Sequence, residues 1–238
     1  MTDAVLEFAG ISKDYRGLRP LRIAELTIAA GEHVAILGFD RFSAEIFVNL
    51  ATGATLPDAG EVRVFGRPTS AIADSADWLA TVDRFGIVSE RAVLLDQLTV
   101  IQNLAMPFTL EIEPPPKEIE RQASALAHEV GLPESIWEQP IAALPPASRV
   151  RLRLGRSLAL DPHVLILEHA SAGLSAEEGA ALGADIRAIA RRRGTAIVAA
   201  TLDEAFARAV ADRILRWQPA TGQLAEQGTG RWFRRMLG

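Results

Sequence analysis

Short apolar segments alternate with amphipathic ones along most of this chain. Residues 34–37, 164–167 and 196–200 are uninterrupted apolar runs of strand length. Strands of this kind are buried on both faces and lie in the middle of a sheet. Between such runs, segments such as 176–193 carry apolar residues at helical spacing. The alternation predicts an α/β protein whose parallel sheet is covered by helices on both sides.

The first of these runs leads through Gly38 into a predicted helix. Apolar residues recur at helical spacing from Ile46 onward, and Ser43 is predicted as the N-cap of this helix. Gly53 provides a stop, after which residues 61–65 alternate as a strand does. The order is therefore strand, short loop, helix, strand.

A helical insertion interrupts the alternation in the middle of the chain. Residues 111–116 read Glu-Ile-Glu-Pro-Pro-Pro and break any regular structure. Apolar residues at helical spacing then predict a helix over 117–130, and a second helix is predicted past the prolines at 145–146, to about residue 159.

Composition excludes several classes of protein. The 25 basic and 30 acidic residues give a net charge of −5, which argues against nucleic acid as a partner. The chain has no cysteine, and its four histidines lack the spacing of metal ligands, so no metal site is predicted. No apolar run reaches the roughly 18 to 20 residues that span a bilayer, and no export signal begins the chain. We expect a cytoplasmic protein.

Six connecting phrases identify a family. In order and spacing they resemble those of the nucleotide-binding subunit of an ABC transporter, over about residues 5 to 217; the phrases are residues 31–32, 56–62, 98–104, 156–162, 172–174 and 211–215. The resemblance implies a P-loop NTPase-like ABC ATPase fold, with a mostly parallel core sheet and an antiparallel β part. It also implies one domain over residues 1–238, with a helical subdomain at about 91–160.

The family's phosphate loop, GxxGxGK[ST], is altered in this chain. It needs backbone N–H groups turned around the phosphates, a lysine that bridges the last two, and a hydroxyl that holds magnesium. The eight positions here are Gly38, Phe39, Asp40, Arg41, Phe42, Ser43, Ala44 and Glu45. Ala44 stands at the lysine and Glu45 at the magnesium-binding hydroxyl. Each lost charge-assisted hydrogen bond costs roughly 1.5 to 3 kcal/mol, so we expect ATP and Mg²⁺, the family's cofactors, to bind weakly or not at all.

Three interpretations of this altered loop stay open. In the first, Asp40 or Glu45 folds onto the N–H groups at the helix start in place of phosphate, and Phe39 and Phe42 fill the space. In the second, the loop is an ordinary strand-to-helix turn. In the third, Arg41 holds a phosphate from a new direction.

The family's second phosphate-binding element, LSGGQ, is also altered. Its position here reads Leu144-Pro145-Pro146-Ala147-Ser148. The prolines have no N–H to donate, and one of them replaces a glycine whose backbone should approach the phosphate. Ser148 is predicted to cap the following helix.

The hydrolytic positions that the resemblance assigns are changed as well. Glu168 and His169 follow the strand at 164–167, where the family has an aspartate for magnesium and a glutamate that activates water. Glu90 replaces the glutamine of the glutamine loop, Ser175 the aspartate of the dimer-contact turn, and Ala200 the histidine after the last core strand. No catalytic residue is assigned with these replacements in place.

Tyr15 is the one position at which a nucleotide contact is expected to survive. The family stacks an aromatic ring on adenine near the end of the first strand, and Tyr15, the only tyrosine, lies there. Stacking contributes on the order of 1 to 3 kcal/mol per base, too little to hold ATP whose phosphates are not anchored. A structural tyrosine fits the same position.

The tail at residues 230–238 combines three arginines with two aromatic residues. Two interpretations stay open: a segment that docks on a membrane surface or partner, or a last helical turn packed on its own domain.

The leading functional hypothesis is an ABC transporter subunit that hydrolyses little or no ATP. The resemblance implies that it dimerises with a second ABC ATPase subunit and grips a membrane permease at the cytoplasmic face of the inner membrane. A heterodimer is favoured over a homodimer because ATP chemistry would fall on an intact partner, and membrane contact is indirect, through the permease.

Two other functions fit the residues. The first is a working ATPase of unconventional chemistry, in which Glu45, Glu90 and Glu168 hold a metal ion and His169 acts as base. The second is an adaptor without a role in transport that has reused the fold for binding.

Overall fold

The computed structural model describes residues 3–226, and the predicted tail at 230–238 lies outside them. The first half contains β1 (Ala4–Lys13), β2 (Leu21–Ala29), β3 (His33–Leu37), α1 (Arg41–Ala51), β4 (Ala59–Val64), β5 (Arg67–Pro68), α2 (Ser75–Val82) and β6 (Phe85–Val88). The second half contains α3 (Val100–Ala105), α4 (Lys117–Glu129), α5 (Pro146–Leu158), β7 (Val164–Glu168), α6 (Ala176–Arg193), β8 (Ala196–Thr201), α7 (Glu204–Val210), β9 (Arg213–Gln218) and β10 (Gln223–Glu226).

The strands form two sheets. One is antiparallel and has the order β2-β1-β4-β5. The other has the order β10-β9-β3-β8-β7-β6, and all of its pairs are parallel except the one between β10 and β9. The structure therefore confirms the predicted α/β fold class, with a mostly parallel core sheet and an antiparallel β part.

The core lies on both faces of the parallel sheet, because successive side chains of a strand point to opposite faces. Val34 and Ile36 of β3 belong to a cluster that includes α1 and the antiparallel sheet. Ala35 and Leu37 belong to a second cluster that includes helices α3 to α7. Helix α1, which contains the phosphate-loop positions from Arg41 to Glu45, is thus packed among residues of both sheets.

Helix α6 shows how local signals set the boundaries of an element. Ser175 and Glu178 form a capping box at its start, and Gly194 ends it in the left-handed conformation with φ of +68°. The predicted range 176–193 is confirmed. Helices α3, α4 and α5 lie between β6 and β7 in the chain, as the helical insertion predicted, and the subdomain limits at about 91–160 stay a prediction. Within residues 3–226, no helix has the length and apolar character needed to cross a membrane.

We expect stability to fall in mild acid because of a buried histidine. His33 is 2% exposed, and its Nε2 lies 3.2 Å from the Thr195 carbonyl oxygen. Burial lowers the pKa of His33 below its ordinary value of 6.5, and the nearby Arg187 and Arg191 act in the same direction; Asp212 lies 4.0 Å from Nδ1. The unfolded chain therefore binds the proton more readily than the folded one. Stability is complete above the unfolded pKa and declines as the pH falls toward the folded pKa.

Urea unfolding between about pH 8 and about pH 5 checks this expectation. His33→Gln should flatten the part of the pH dependence that begins near the ordinary pKa of histidine. An unchanged pH profile in His33→Gln would show that other groups cause the decline.

Candidate functional site

The candidate site lies at the edge of the sheet where the parallel strands end. The carboxyl ends of β3, β8, β7 and β6 are neighbours there, because parallel strands finish at one edge. This brings the phosphate-loop positions close to the residues that follow β6 and β7. They surround a cavity of about 340 Å³, which is lined by Arg41, Phe42, Glu45, Ser89, Glu90, Arg91, Glu168 and His169.

The side chain of Asp40 stabilises the turn between β3 and α1. Asp40 is the N-cap of α1, and its Oδ1 accepts a hydrogen bond of 2.7 Å from the Ser43 backbone N–H. The prediction of Ser43 as N-cap was wrong, since the helix begins at Arg41. Ser43 lies in the first turn, 1% exposed, and its Oγ has no partner within residues 3–226. The Asp40 contact fits both the interpretation in which a carboxylate takes a helix N–H and that of an ordinary strand-to-helix turn, since aspartate is a common N-cap.

Aromatic packing anchors the same turn. Phe39 is fully buried, with its ring edge-on to Trp217 at 4.9 Å between centroids and tilted against Phe47 at 5.5 Å. Phe47 in turn stacks on Phe8 at 5.0 Å. Phe42 is 69% exposed. Phe39 therefore fills the space as expected, whereas the expectation for Phe42 was wrong because its side chain points outward.

A cluster of charged side chains, which we call the arginine–glutamate network, joins the loops at this edge. It consists of Arg41, Glu45, Glu90, Arg91 and Glu168. The Nε and Nη2 atoms of Arg91 donate to Glu168 Oε1 and Oε2 at 3.1 and 2.7 Å. Its Nη1 donates to Glu45 Oε1 at 3.3 Å. The outer pair is Arg41 with Glu90, at 3.1 Å between Nη2 and Oε2.

The two halves of the network differ in strength. Arg41 and Glu90 are both more than half exposed, so solvent screens their pair and its contribution to stability is small. The Glu168 side chain is only 7% exposed and receives the two-pronged contact of Arg91. The hydrogen bond to Glu168 raises the pKa of Arg91 above its ordinary value, so this guanidinium is charged at every physiological pH.

These contacts bear on two of the interpretations of the loop. Glu45 does not fold onto the N–H groups of α1, because it pairs with Arg91. Arg41 pairs with the exposed Glu90, and its contact with a phosphate stays a prediction.

The carboxylates that the working-ATPase hypothesis assigned to a metal ion do not converge. Glu45 and Glu168 both face Arg91, whereas Glu90 faces Arg41. Across the described chain, no three histidine or acidic side chains are grouped in a way that could hold a metal ion.

His169 lies in a turn directly after β7. Its φ is +48°, a conformation in which histidine is one of the more frequent non-glycine residues. Its backbone N–H donates to the Ala200 carbonyl oxygen at 2.9 Å. The ring atom Nε2 is buried and has no hydrogen-bond partner among the described residues. Ala200 itself is buried in β8 and offers only a methyl group to the site.

The two remaining positions lie apart from the network. Helix α5 begins at Pro146 with Pro145 as its N-cap and without a capping side chain, so the prediction that Ser148 caps it was wrong. Proline suits the first turn, where its missing N–H needs no partner, and this moves the helix start ahead of Ser148. Tyr15 packs partly buried against the core, with its ring close to Gly17. Its contact with adenine stays a prediction.

Arg91 was not among the site residues predicted from the sequence. The signal was available, because three glutamates at positions that should meet phosphates need a compensating charge. Arg91 lies next to one of them in the chain, beside Glu90.

Solved structures share this fold. CbiO1 of Clostridium perfringens, described as part of the ABC transporter complex CbiONQ, has a TM-score of 0.78 at 20% identity and covers 93% of this chain and 87% of its own. The dimeric structure of MJ0796, described as a bacterial ABC transporter cassette, has a TM-score of 0.76 at 21% identity, with 92% and 96% covered. The fold is that of an ABC ATPase cassette.

Sequence comparison establishes the family. A family model described as ABC transporter matches residues 21–172, which is more than half of the chain. LolD of Maricaulis maris, a lipoprotein-releasing system ATP-binding protein, is 31% identical over 219 residues, 90% of this chain and 94% of LolD. The chain belongs to the ABC transporter family, in the part that forms its ATP-binding domain.

Other relatives are longer than this chain. The methionine import ATP-binding protein MetN of Leifsonia xyli is 29% identical over 229 residues, 95% of this chain and 66% of MetN. For MetN of Mesorhizobium japonicum the identity is 29%, with 85% of this chain and 54% of MetN covered. The chain thus spans less than two thirds of the length of these two MetN proteins.

Proposed function

We propose that this chain is an ABC transporter subunit without ATPase activity, which pairs with an intact ATPase subunit and a membrane permease. The observation that carries the proposal is the position of Arg91 between Glu45 and Glu168. By the resemblance, these glutamates stand at the two protein positions that hold Mg²⁺ in P-loop NTPases. An arginine thus occupies the place between them.

The residues present do not fit Mg-ATP. Ala44, at the lysine position, is fully buried and carries no charge to offer a phosphate. Glu45 brings a negative charge toward the same phosphates, and the carboxylate of Glu168 is engaged by Arg91. We therefore assign no step of ATP hydrolysis to this chain.

A groove beside the site supports the proposed role with a permease. It has a volume of about 340 Å³, lies next to helices α1 and α2, and is lined by Val48, Asn49, Thr52, Ala54, Trp78, Val82, Ile87, Ser89, Arg91 and Ala92. By the resemblance, such a groove is expected near residues 94–108, and the groove described here ends at Ala92, just before that segment. Apart from Arg91, the groove uses residues outside the network, so a permease helix could bind there without nucleotide.

The pairing with an intact subunit follows from the same replacements. In the family, each ATP site joins the phosphate loop of one subunit to the LSGGQ element of the other. This chain has changed both elements, at Gly38 to Glu45 and at Leu144 to Ser148. A homodimer would therefore have no intact element, and we propose a heterodimer at the cytoplasmic face of the inner membrane.

We expect Ala54→Arg to separate this chain from its permease. Ala54 is an exposed groove residue, so a long cationic side chain there blocks the groove without disturbing the core. Affinity purification of the tagged chain from detergent-solubilised membranes should recover a multispanning protein and a second, intact ATPase. Ala54→Arg should lower the recovered permease by at least about tenfold.

The matched control is Ala181→Arg, at an exposed position of α6 far along the chain from the groove. It should leave recovery unchanged. Equal recovery from both variants would contradict the assignment of the groove. Recovery of neither a permease nor an ATPase with the unmodified chain would favour the adaptor.

A further inference from the structure

The segment at residues 89–99, which we call the β6–α3 loop, is the first connection between the parallel sheet and helices α3 to α5. It is held from two sides. On the sheet side, Arg91 reaches Glu168 of β7 and Glu45 of α1. On the helical side, two arginines of α5 donate to its backbone, Arg153 to Ala92 O at 3.3 Å and Arg156 to Val93 O at 2.6 Å.

The buried part of the sheet-side attachment depends on a single cation, because the second pair, Arg41 of α1 with Glu90 of the loop, is more than half exposed. Arg91 is the only residue of the network that contacts more than one glutamate. Glu168, at 7% exposure, would be a nearly buried and unpaired carboxylate without it. Arg91 also lines both the site cavity and the permease groove. Replacing Arg91 would therefore alter the lining of both the site cavity and the groove.

We propose that Arg91 is a built-in replacement for Mg²⁺, which holds the β6–α3 loop against α1 and β7 in the absence of nucleotide. This inference rests on the proposed function. A magnesium ion is a cation bound by oxygen ligands, and the Arg91 guanidinium offers a fixed positive charge to the carboxylate oxygens of Glu45 and Glu168. The groove wall formed by Ser89, Arg91 and Ala92 then keeps one conformation whether or not Mg-ATP is present.

Hydrogen exchange of the full chain, read by mass spectrometry, tests this proposal. In the unmodified protein, amides of residues 89–95 should exchange at the same rate with and without Mg-ATP. In Arg91→Gln, these amides should exchange about tenfold faster or more. Local opening of the loop costs less free energy in this variant, because no two-pronged ion pair has to break. Glu168→Gln removes the negative charge of the same ion pair and should increase the exchange rate of these amides to a similar extent. Arg63→Gln, in an exposed pair with Glu61, is the control and should leave the loop unchanged.

A second arm distinguishes a magnesium replacement from general stabilisation. Arg91→Gln leaves Glu45 and Glu168 without their shared cation. Magnesium at roughly 10 mM, above the millimolar affinity of weak oxygen sites, should slow exchange of residues 89–95 in Arg91→Gln but not in the unmodified protein. The exchange rate in Arg91→Lys should lie between those of the unmodified protein and Arg91→Gln. Lysine keeps the positive charge but cannot make the two-pronged contact. Should Arg91→Gln fail to fold, Arg91→Lys and Glu168→Gln carry the test.

Three outcomes would overturn the proposal: unchanged exchange in both Arg91→Gln and Glu168→Gln, no response of Arg91→Gln to magnesium, or a nucleotide-dependent change in the unmodified loop. Calorimetry on the same samples tests the proposed function separately from the role of Arg91. Tight binding of Mg-ATP by the unmodified protein defeats the proposed function. Absence of binding together with unchanged exchange in the variants defeats the role of Arg91 alone.

Discussion

Replacing Phe39 by alanine is expected to lower the free energy of unfolding by about 3 to 5 kcal/mol. Phe39 is fully buried between Phe47 and Trp217. Truncation leaves a cavity in the core cluster that joins β3, α1 and β9, and the adjoining backbone cannot collapse to fill it. The loss would show that this turn, which other members of the family use to hold phosphates, is stabilised here by core packing.

The neighbouring Phe42 provides the matched control for this experiment. Phe42 has the same side chain three residues away and is 69% exposed, so Phe42→Ala should change stability by no more than about 0.5 kcal/mol. Urea unfolding of both variants, followed by tryptophan fluorescence, measures the difference. Similar losses in the two variants would contradict the structural role assigned to Phe39.

Phosphate release from Mg-ATP by the purified chain is expected to be at least about 10⁴-fold slower than by an intact relative such as LolD of Maricaulis maris under the same conditions. A charge-assisted contact at the lysine position is worth about 1.5 to 3 kcal/mol, and a positioned base about 10² to 10⁴-fold in rate. The Ala44 side chain offers neither charge nor hydrogen bond, and the Nε2 atom of His169 is buried and without a hydrogen-bond partner among the described residues.

Two variants control for ATPases that contaminate the purified protein. If the chain is inactive, Glu168→Gln and His169→Ala should release phosphate at the same residual rate as the unmodified protein. A turnover that disappears in Glu168→Gln would identify this chain as a working ATPase. Magnesium dependence of such turnover would point to the same conclusion.

The fold was predictable because its signals are local and repeated. The apolar runs at 34–37, 164–167 and 196–200 became the central strands β3, β7 and β8. Their side chains are buried from both sides, as continuous apolar runs require. The ends of α6 followed from Ser175 and Gly194, since capping groups act within one turn.

Helix starts were less predictable where several residues compete for one cap. Asp40 and Ser43 are both residue types that cap helices well, and the prediction of the cap at Ser43 was wrong. The structure chooses Asp40 because Phe39 is fixed in the core, which places the next residue at the helix start. At α5, Pro145 and Pro146 start the helix before Ser148, so a proline overrides a serine.

The arrangement of the site was not predictable from spacing. Arg91 is separated by 46 residues from Glu45 and by 77 residues from Glu168. Only the strand order of the sheet brings these residues together, and no helical or strand period relates them. The sequence identified the altered positions one by one, whereas the ion pairs among them required the tertiary structure.

A subunit without ATPase activity, as proposed for this chain, should fail to bind Mg-ATP. Isothermal titration calorimetry of the unmodified protein with ATP, in the presence and absence of magnesium, measures this binding. We predict a Kd weaker than about 1 mM in both conditions, because Arg91 is engaged by Glu45 and Glu168, Ala44 carries no charge at the lysine position, and Glu45 repels the phosphates. Magnesium-dependent binding in the micromolar range would contradict the account.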